Sequence, residues 1–211
     1  MLLRQLFDKE TSTYTYLVAD EASGAAALID PVKEQIDRDT RLLEELGLRL
    51  EWVLETHVHA DHVTAAGLLR KRTGAKTAAS AVGAPCVDRG LVDGDAITVG
   101  SVTIRAIATP GHTDDGMSFA VPGHVFTGDT LLIRGCGRSD FQNGDARALY
   151  RSITQVLFAL PDETVVLPGH DYRGVGESTI REERAHNPRV AGKSVDEFVA
   201  IMGALDLPRP A

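Results

Sequence analysis

His57-Val58-His59-Ala60-Asp61-His62 puts three of the chain's seven histidines and an aspartate into six consecutive positions. Before it, Leu50-Glu51-Trp52-Val53-Leu54-Glu55 reads as a strand. After it, Val63 to Arg70 reads as the start of a helix. A strand-to-helix turn is where an α/β protein presents ligands, at the carboxyl edge of its sheet. His57 and His59 are two apart, so both can face one side of an extended segment. Asp61 and His62, on the turn, can face the same cavity. The alternative is a histidine-rich surface loop, but so dense a set of imidazole and carboxylate favours a metal site.

Working outward, Tyr14-Thr15-Tyr16-Leu17-Val18 and Ala25 to Ile29 read as strands around a turn-rich Asp20 to Gly24. Asp30, at the second strand's end, either orients a metal ligand or caps the following turn. Residues 33–46 carry a helical stripe of Ile36, Leu42, Leu43 and Leu46, with Gly47 as the stop. The helix after the histidine turn ends near Gly74, and residues 76–80 form a strand. A brief helix is expected over 81–88, with Cys86 as a small core residue.

From Asp95 the pattern is mostly β. Ile97 to Ile107 is a hairpin turning at Gly100-Ser101 and ending in Thr109-Pro110-Gly111-His112. Met117 to Val121 and His124 to Thr127 turn at Pro122-Gly123 and end in Thr127-Gly128-Asp129. Leu149 to Leu160 is an amphipathic helix with Asp145 as N-cap. Thr164 to Leu167 is a last strand, ending in Pro168-Gly169-His170. Thr179 with Glu182 and Ser194 with Glu197 have capping-box spacing ahead of two closing helices. Strands with a helix pair, then strands with helices again, suggest two similar halves packed sheet on sheet. Four strand ends then carry His57/His59, His112, Asp129 and His170, while His124 and His186 lack such a setting.

The 211 residues fit a single domain over 1–211. A net charge of −8 argues against a nucleic-acid partner, which needs clustered positive potential. No apolar run is long enough to span a membrane, and neither a signal peptide nor a transit segment is read at the N-terminus. Cys86 and Cys136 are far apart and in no metal-ligand spacing, so a reducing cytoplasm is expected.

The set His57-x-His59-x-Asp61-His62, His112, Asp129 and His170 resembles, in order and spacing, the five-part metal motif of the metallo-β-lactamase fold superfamily. That resemblance implies an α/β fold, an αββα sandwich of two mixed sheets face to face, covered by helices, with the metal at one edge. Fold alone does not choose a reaction. A narrower likeness lies in Gly135-Cys136-Gly137-Arg138-Ser139-Asp140-Phe141-Gln142. Hydroxyacylglutathione hydrolases share the first four residues, whereas the whole string resembles the persulfide dioxygenases, the ethylmalonic-encephalopathy-type sulfur dioxygenases. Ile29-Asp30-Pro31-Val32, His170-Asp171-Tyr172, Glu182-Glu183-Arg184, Asn187-Pro188-Arg189 and the ending Phe198 to Leu207-Pro208 fit the same family.

This resemblance implies one Fe(II) per chain held by His57, His112 and Asp129. His59, Asp61, His62 and His170 are kept without ligating a second metal, as hydrogen-bond partners or proton carriers. A 2-His-1-carboxylate set leaves three positions on octahedral iron for substrate and O2. The reaction implied is oxidation of glutathione persulfide by O2 and water to sulfite and glutathione. Glutathione carries two carboxylates, so Arg138, Tyr172 and Arg189 are the candidate substrate contacts. Arg138 could instead tie down the loop after Asp129, and Arg189 could lie plainly at the surface. Cys136 either packs between its glycines or is an oxidisable thiol beside the site. The runner-up is a hydroxyacylglutathione thioester hydrolase with a dinuclear zinc site, since every residue for a second ion is present. Family resemblance also suggests a homodimer and a functional link to a rhodanese-like sulfurtransferase or a sulfide oxidase.

Overall fold

The computed structural model describes residues 1–83 and 85–206. Ala84, within the expected 81–88 helix, and Leu207-Pro208 of the closing motif lie outside the described residues. The first sheet holds β1 (Leu2–Phe7), β2 (Tyr14–Asp20), β3 (Ala25–Ile29), β4 (Arg49–Leu54), β5 (Lys76–Ser80) and β6 (Arg89–Leu91), side by side in that order. Its hairpin strands β1 to β3 are antiparallel, while β3 to β6 run parallel. Parallel neighbours need crossovers. The one from β3 to β4 carries α1 (Ile36–Glu45), and the one from β4 to β5 carries α2 (Ala66–Thr73).

The second sheet holds β7 (Ala96–Val99), β8 (Val102–Ala108), β9 (Met117–Val121), β10 (His124–Gly128), β11 (Val165–Pro168) and β12 (Ser178–Thr179), again neighbour to neighbour. Only the β10–β11 pair is parallel. The helical stretch from α3 (Ala146–Arg151) makes that crossover; α4 (Ile180–His186) and α5 (Val195–Gly203) follow β12.

Two-residue periodicity sorts side chains to the two faces of each sheet. Along β2, Tyr14, Tyr16 and Val18 enter the core between the sheets, meeting Ile104, Phe119, Phe126 and Leu167. Leu17 and Ala19, in the alternate positions, face α1 and α2 with Leu28, Val53, Leu43 and Leu69. Val125 and Val166 likewise turn outward onto Leu149, Ile153, Phe198 and Met202. A sheet buried on both faces explains why β2 and β3 are buried at every position. The result is the expected αββα sandwich.

Three local expectations need correction. Residues 81–83 and 85–88 form turns rather than a helix, and Cys86 is exposed rather than in the core. Gly83 and Pro85 are poor helix residues, which explains the break. The amphipathic stretch begins at Asp145, whose carboxylate accepts from the Ala148 N–H. It is not one α-helix, however. It widens to a π-turn over Ser152–Val156 and tightens to 3-10 over Leu157–Ala159. The wide turn coincides with β-branched Ile153, Thr154 and Val156. At α4, Thr179 caps through the Glu182 N–H, but the Glu182 carboxylate goes to Arg134, so only Ser194 and Glu197 complete a reciprocal box.

Candidate metal centre

Four strand ends meet at one edge of the sandwich. The chain leaving β4 carries His57 and His59, that leaving β8 carries His112, that leaving β10 carries Asp129, and that leaving β11 carries His170. Both halves of the fold therefore contribute. The Pro-Gly preceding His112 has a steric reason: Gly111 has φ 136°, and a Cβ there would lie 2.1 Å from the Leu149 nitrogen.

His57, His112 and Asp129 each bring one ligand atom within 4.8 Å of the others. Hydrogen bonds behind them fix which atoms those are. His112 Nδ1 lies 2.6 Å from the Arg138 carbonyl oxygen, which can only accept, so Nδ1 carries a proton and Nε2 is the nitrogen turned to the centre. That Nε2 lies 3.7 Å from Asp129 Oδ2. The Thr56 hydroxyl donates to Asp30 Oδ2 at 2.7 Å and lies 2.9 Å from His57 Nδ1. With its one proton spent on the carboxylate, the hydroxyl accepts from Nδ1–H, leaving His57 Nε2 as the lone pair. Burial, together with the neighbouring imidazoles, holds His57 well below the usual histidine range, so it is neutral at pH 7. Two imidazole nitrogens and a carboxylate oxygen, converging from one side, fit a divalent transition metal.

The remaining polar residues are engaged around this set. His170 Nδ1 is 2.7 Å from Asp129 Oδ1; its Nε2 is 3.1 Å from both Asp61 Oδ2 and the Thr13 hydroxyl. Burial alone would lower the His170 pKa, but Asp129 and Asp61 outweigh it and raise it well above the usual range. Burial likewise works to raise Asp129 and Asp61, yet the imidazoles hold both carboxyls below their ordinary value. His62 Nδ1 pairs with Asp61 Oδ2 at 2.9 Å. His59 has turned its Nε2 toward Asp30 Oδ1 at 3.2 Å and Glu55 Oε2 at 3.4 Å. Against the cost of burial, these carboxylates raise its pKa to about 10. Asp30 thus accepts from the Thr56 N–H and hydroxyl and faces His59, which is the orienting role rather than a turn cap.

Beside His112 and Asp129 opens a cavity of about 500 Å³, lined also by His170, Tyr172, Arg138 and Arg189 among others. Tyr172 stacks on His170, with ring centroids 5.8 Å apart and planes 9° apart, and is 72% exposed at the mouth. Arg138 is held in a two-pronged pair by Asp140, at 2.7 and 2.8 Å. Arg189 instead donates to the Cys136 carbonyl at 2.8 Å and approaches the Cys136 and Met202 sulfurs. Among the described residues no carboxylate pairs with it. Cys136 is buried, and burial pushes its thiol up despite Arg189, which makes it a packed thiol rather than a reactive one.

Sequence reasoning missed several supports. Buried Asp115 accepts from the Val58 N–H at 2.9 Å, between the two histidines. Thr13, just before β2, joins His170 and Asp61 from the first sheet. Glu55, the last residue of the strand reading, faces His59 and accepts from Thr64.

A model of the metallo-beta-lactamase superfamily matches residues 8–170. The human protein named persulfide dioxygenase ETHE1, mitochondrial, is 47% identical over 213 residues, covering 100% of this chain and 84% of its own. A crystal structure of ETHE1 from Myxococcus xanthus superposes with a TM-score of 0.98 at 58% identity, covering 100% of this chain and 93% of that one. A hydroxyacylglutathione hydrolase from Cereibacter sphaeroides is 38% identical over 167 residues, or 77% of this chain and 64% of that protein.

Proposed function

We infer the activity from one premise: this chain belongs to the metallo-beta-lactamase superfamily and, within it, to the persulfide dioxygenases. It is an oxidoreductase that oxidises a persulfide with O2. In the reaction proposed, glutathione persulfide, O2 and water give sulfite and glutathione at one Fe(II) per chain. The observation carrying this reading is the convergence of His57 Nε2, His112 Nε2 and Asp129 Oδ2 beside a cavity of ligand size.

Bound there, ferrous iron would supply the redox chemistry and the template that brings sulfur and O2 together. The chain's own residues do the rest. His57 and His112 are held in the ligating tautomer by Thr56 and the Arg138 carbonyl. Asp129 spends Oδ1 on His170 and presents Oδ2. Asp61 Oδ2, between His62 Nδ1 and His170 Nε2, stays a carboxylate that orients both imidazoles. Arg189 offers its guanidinium to a glutathione carboxylate, whereas at Arg138 such a carboxylate competes with Asp140. Tyr172 covers the entrance.

The zinc thioester hydrolase remains the second reading, and one feature favours it. His59 Nδ1 and His62 Nε2 are buried with no hydrogen-bond partner among the described residues, on rings whose centroids are 4.3 Å apart. Oxygen-electrode assay after anaerobic Fe(II) reconstitution separates the two. O2 uptake dependent on glutathione persulfide supports the dioxygenase. Turnover of S-lactoylglutathione by a two-zinc form, without O2 uptake, refutes it. A homodimer, a functional link to a rhodanese-like sulfurtransferase or a sulfide oxidase, and a cytoplasmic location complete the proposal, the last supported by two free thiols. Among the described residues no helix is long and apolar enough to cross a membrane.

A further inference from the structure

We propose that Glu183 is a positioning residue for the metal centre, acting on His112 through the backbone of residues 134–138; this rests on His112 being a ligand. Glu183 stands on α4, behind the cavity wall, and its side chain has no exposure. Its carboxylate accepts from the Arg134 N–H at 2.8 Å, the Arg134 guanidinium, the Ser178 hydroxyl at 2.7 Å and the Asn187 amide at 2.9 Å. A buried carboxylate satisfied four times over holds its donors firmly in place.

Those donors lead to the centre. Arg134 sits at φ 56°, a left-handed conformation unusual for a side-chain-bearing residue, and its own N–H is anchored on Glu183. It is the corner of a turn in which Leu132 and Gly135 exchange two backbone hydrogen bonds. Asn187 donates to the Gly135 carbonyl at 2.9 Å, and Arg189 to the Cys136 carbonyl at 2.8 Å. The Gly137 N–H then reaches the Asp129 carbonyl, and the Arg138 carbonyl takes the His112 Nδ1 proton. The oxygen that selects the ligating tautomer of His112 is thus the end of a backbone run clamped from α4.

In Glu183→Gln one acceptor becomes an amide donor, facing groups that are themselves donors, so the turn must shift. The full chain is read by chelator competition for Zn(II) and Fe(II), and by the His112 Nδ1–H resonance of the metal-free protein. Metal binding is expected to weaken about tenfold, with the resonance shifted or broadened. Glu182→Gln is the control: Glu182 is exposed, meets the Arg134 guanidinium and, at 3.1 Å, the Ser178 hydroxyl, and bonds no backbone atom of the turn, so both readouts should stay at wild type. Metal affinity within twofold of wild type and an unmoved resonance in Glu183→Gln overturn the proposal, whatever the melting temperature does. If that variant does not fold, Asn187→Ala withdraws the donor shared by Glu183 and Gly135 and is read the same way. His112→Ala separates the premise from the proposal, since unchanged metal affinity there would refute His112 as a ligand.

Discussion

At the scale of single residues, the site depends on which nitrogen of each imidazole faces inward, and neighbours that bind no metal decide that. Thr56→Val keeps shape but strands Asp30 Oδ2 and His57 Nδ1, both buried. An unpaired buried polar group costs about 1–3 kcal/mol, and losing a ligand's supporting partner costs about tenfold or more in metal affinity. Thermal melts and chelator competition on this variant check both expectations. Gly137→Ala is expected to be worse for activity than for folding. Its Cβ would lie 2.5 Å from the Asp129 carbonyl and 2.7 Å from His112 Nδ1, so both residues must shift. A misplacement of that order costs about a hundredfold in rate, read as kcat/KM beside an unchanged circular dichroism spectrum. Ligand-type residues were legible in the sequence because histidine and aspartate at strand ends have few other reasons to cluster. Asp115 was not, since its partner is the backbone N–H of Val58, 57 positions away, and no spacing rule links a carboxylate to a distant amide.

At the scale of elements, alternation marked β8, which buries Val102, Ile104 and Ala106 and exposes Thr103 and Arg105, while turn residues marked the limits of β2 and β9, which are buried almost throughout. Residues 81–83 and 85–88 depart from the expected helix because short, small and apolar residues fit a helix pattern only until Gly83 and Pro85 are weighed. The π-turn after α3 has no sequence signature beyond β-branched residues. One inter-element contact predicts a pH effect. Asp20, at the end of β2, accepts from the Ser101 N–H at 2.9 Å and the Ser23 hydroxyl at 2.8 Å, tying the first sheet to the β7–β8 hairpin. These donors hold its carboxyl below the ordinary value of 3.8. A carboxyl lowered by folding stabilises the fold above its unfolded pKa and ceases to do so as pH falls through its folded one. Asp20→Asn should therefore melt below wild type at pH 7, with the gap closing below the ordinary carboxylate range. A gap independent of pH, in melts from neutral to acid, would show that the charge is not what ties the hairpin.

At the scale of the whole molecule, His57 follows a strand of one sheet and His112 and Asp129 follow strands of the other, so a bound ion staples the two halves together. A ligand at a hundred times its dissociation constant stabilises the fold by about 2.7 kcal/mol. For a chain of this size that is about 5–10 °C in melting temperature. Chelation should lower the melting temperature of wild type by that much and leave His112→Ala unmoved. Substrate choice is also a property of the assembled cavity. Arg189→Ala should raise KM for glutathione persulfide about tenfold or more, a charged hydrogen bond being worth about 1.5–3 kcal/mol. Arg138→Ala should raise it less, because Asp140 already occupies that fork. The most direct test is a crystal of the Fe(II)-reconstituted, active protein with anomalous diffraction at the iron edge. One peak per chain is expected, bonded to His57 Nε2, His112 Nε2 and Asp129 Oδ2, with His59, Asp61 and His62 keeping their present partners. Two peaks about 3.5 Å apart, with Asp129 between them and full activity only when both are filled, would contradict it.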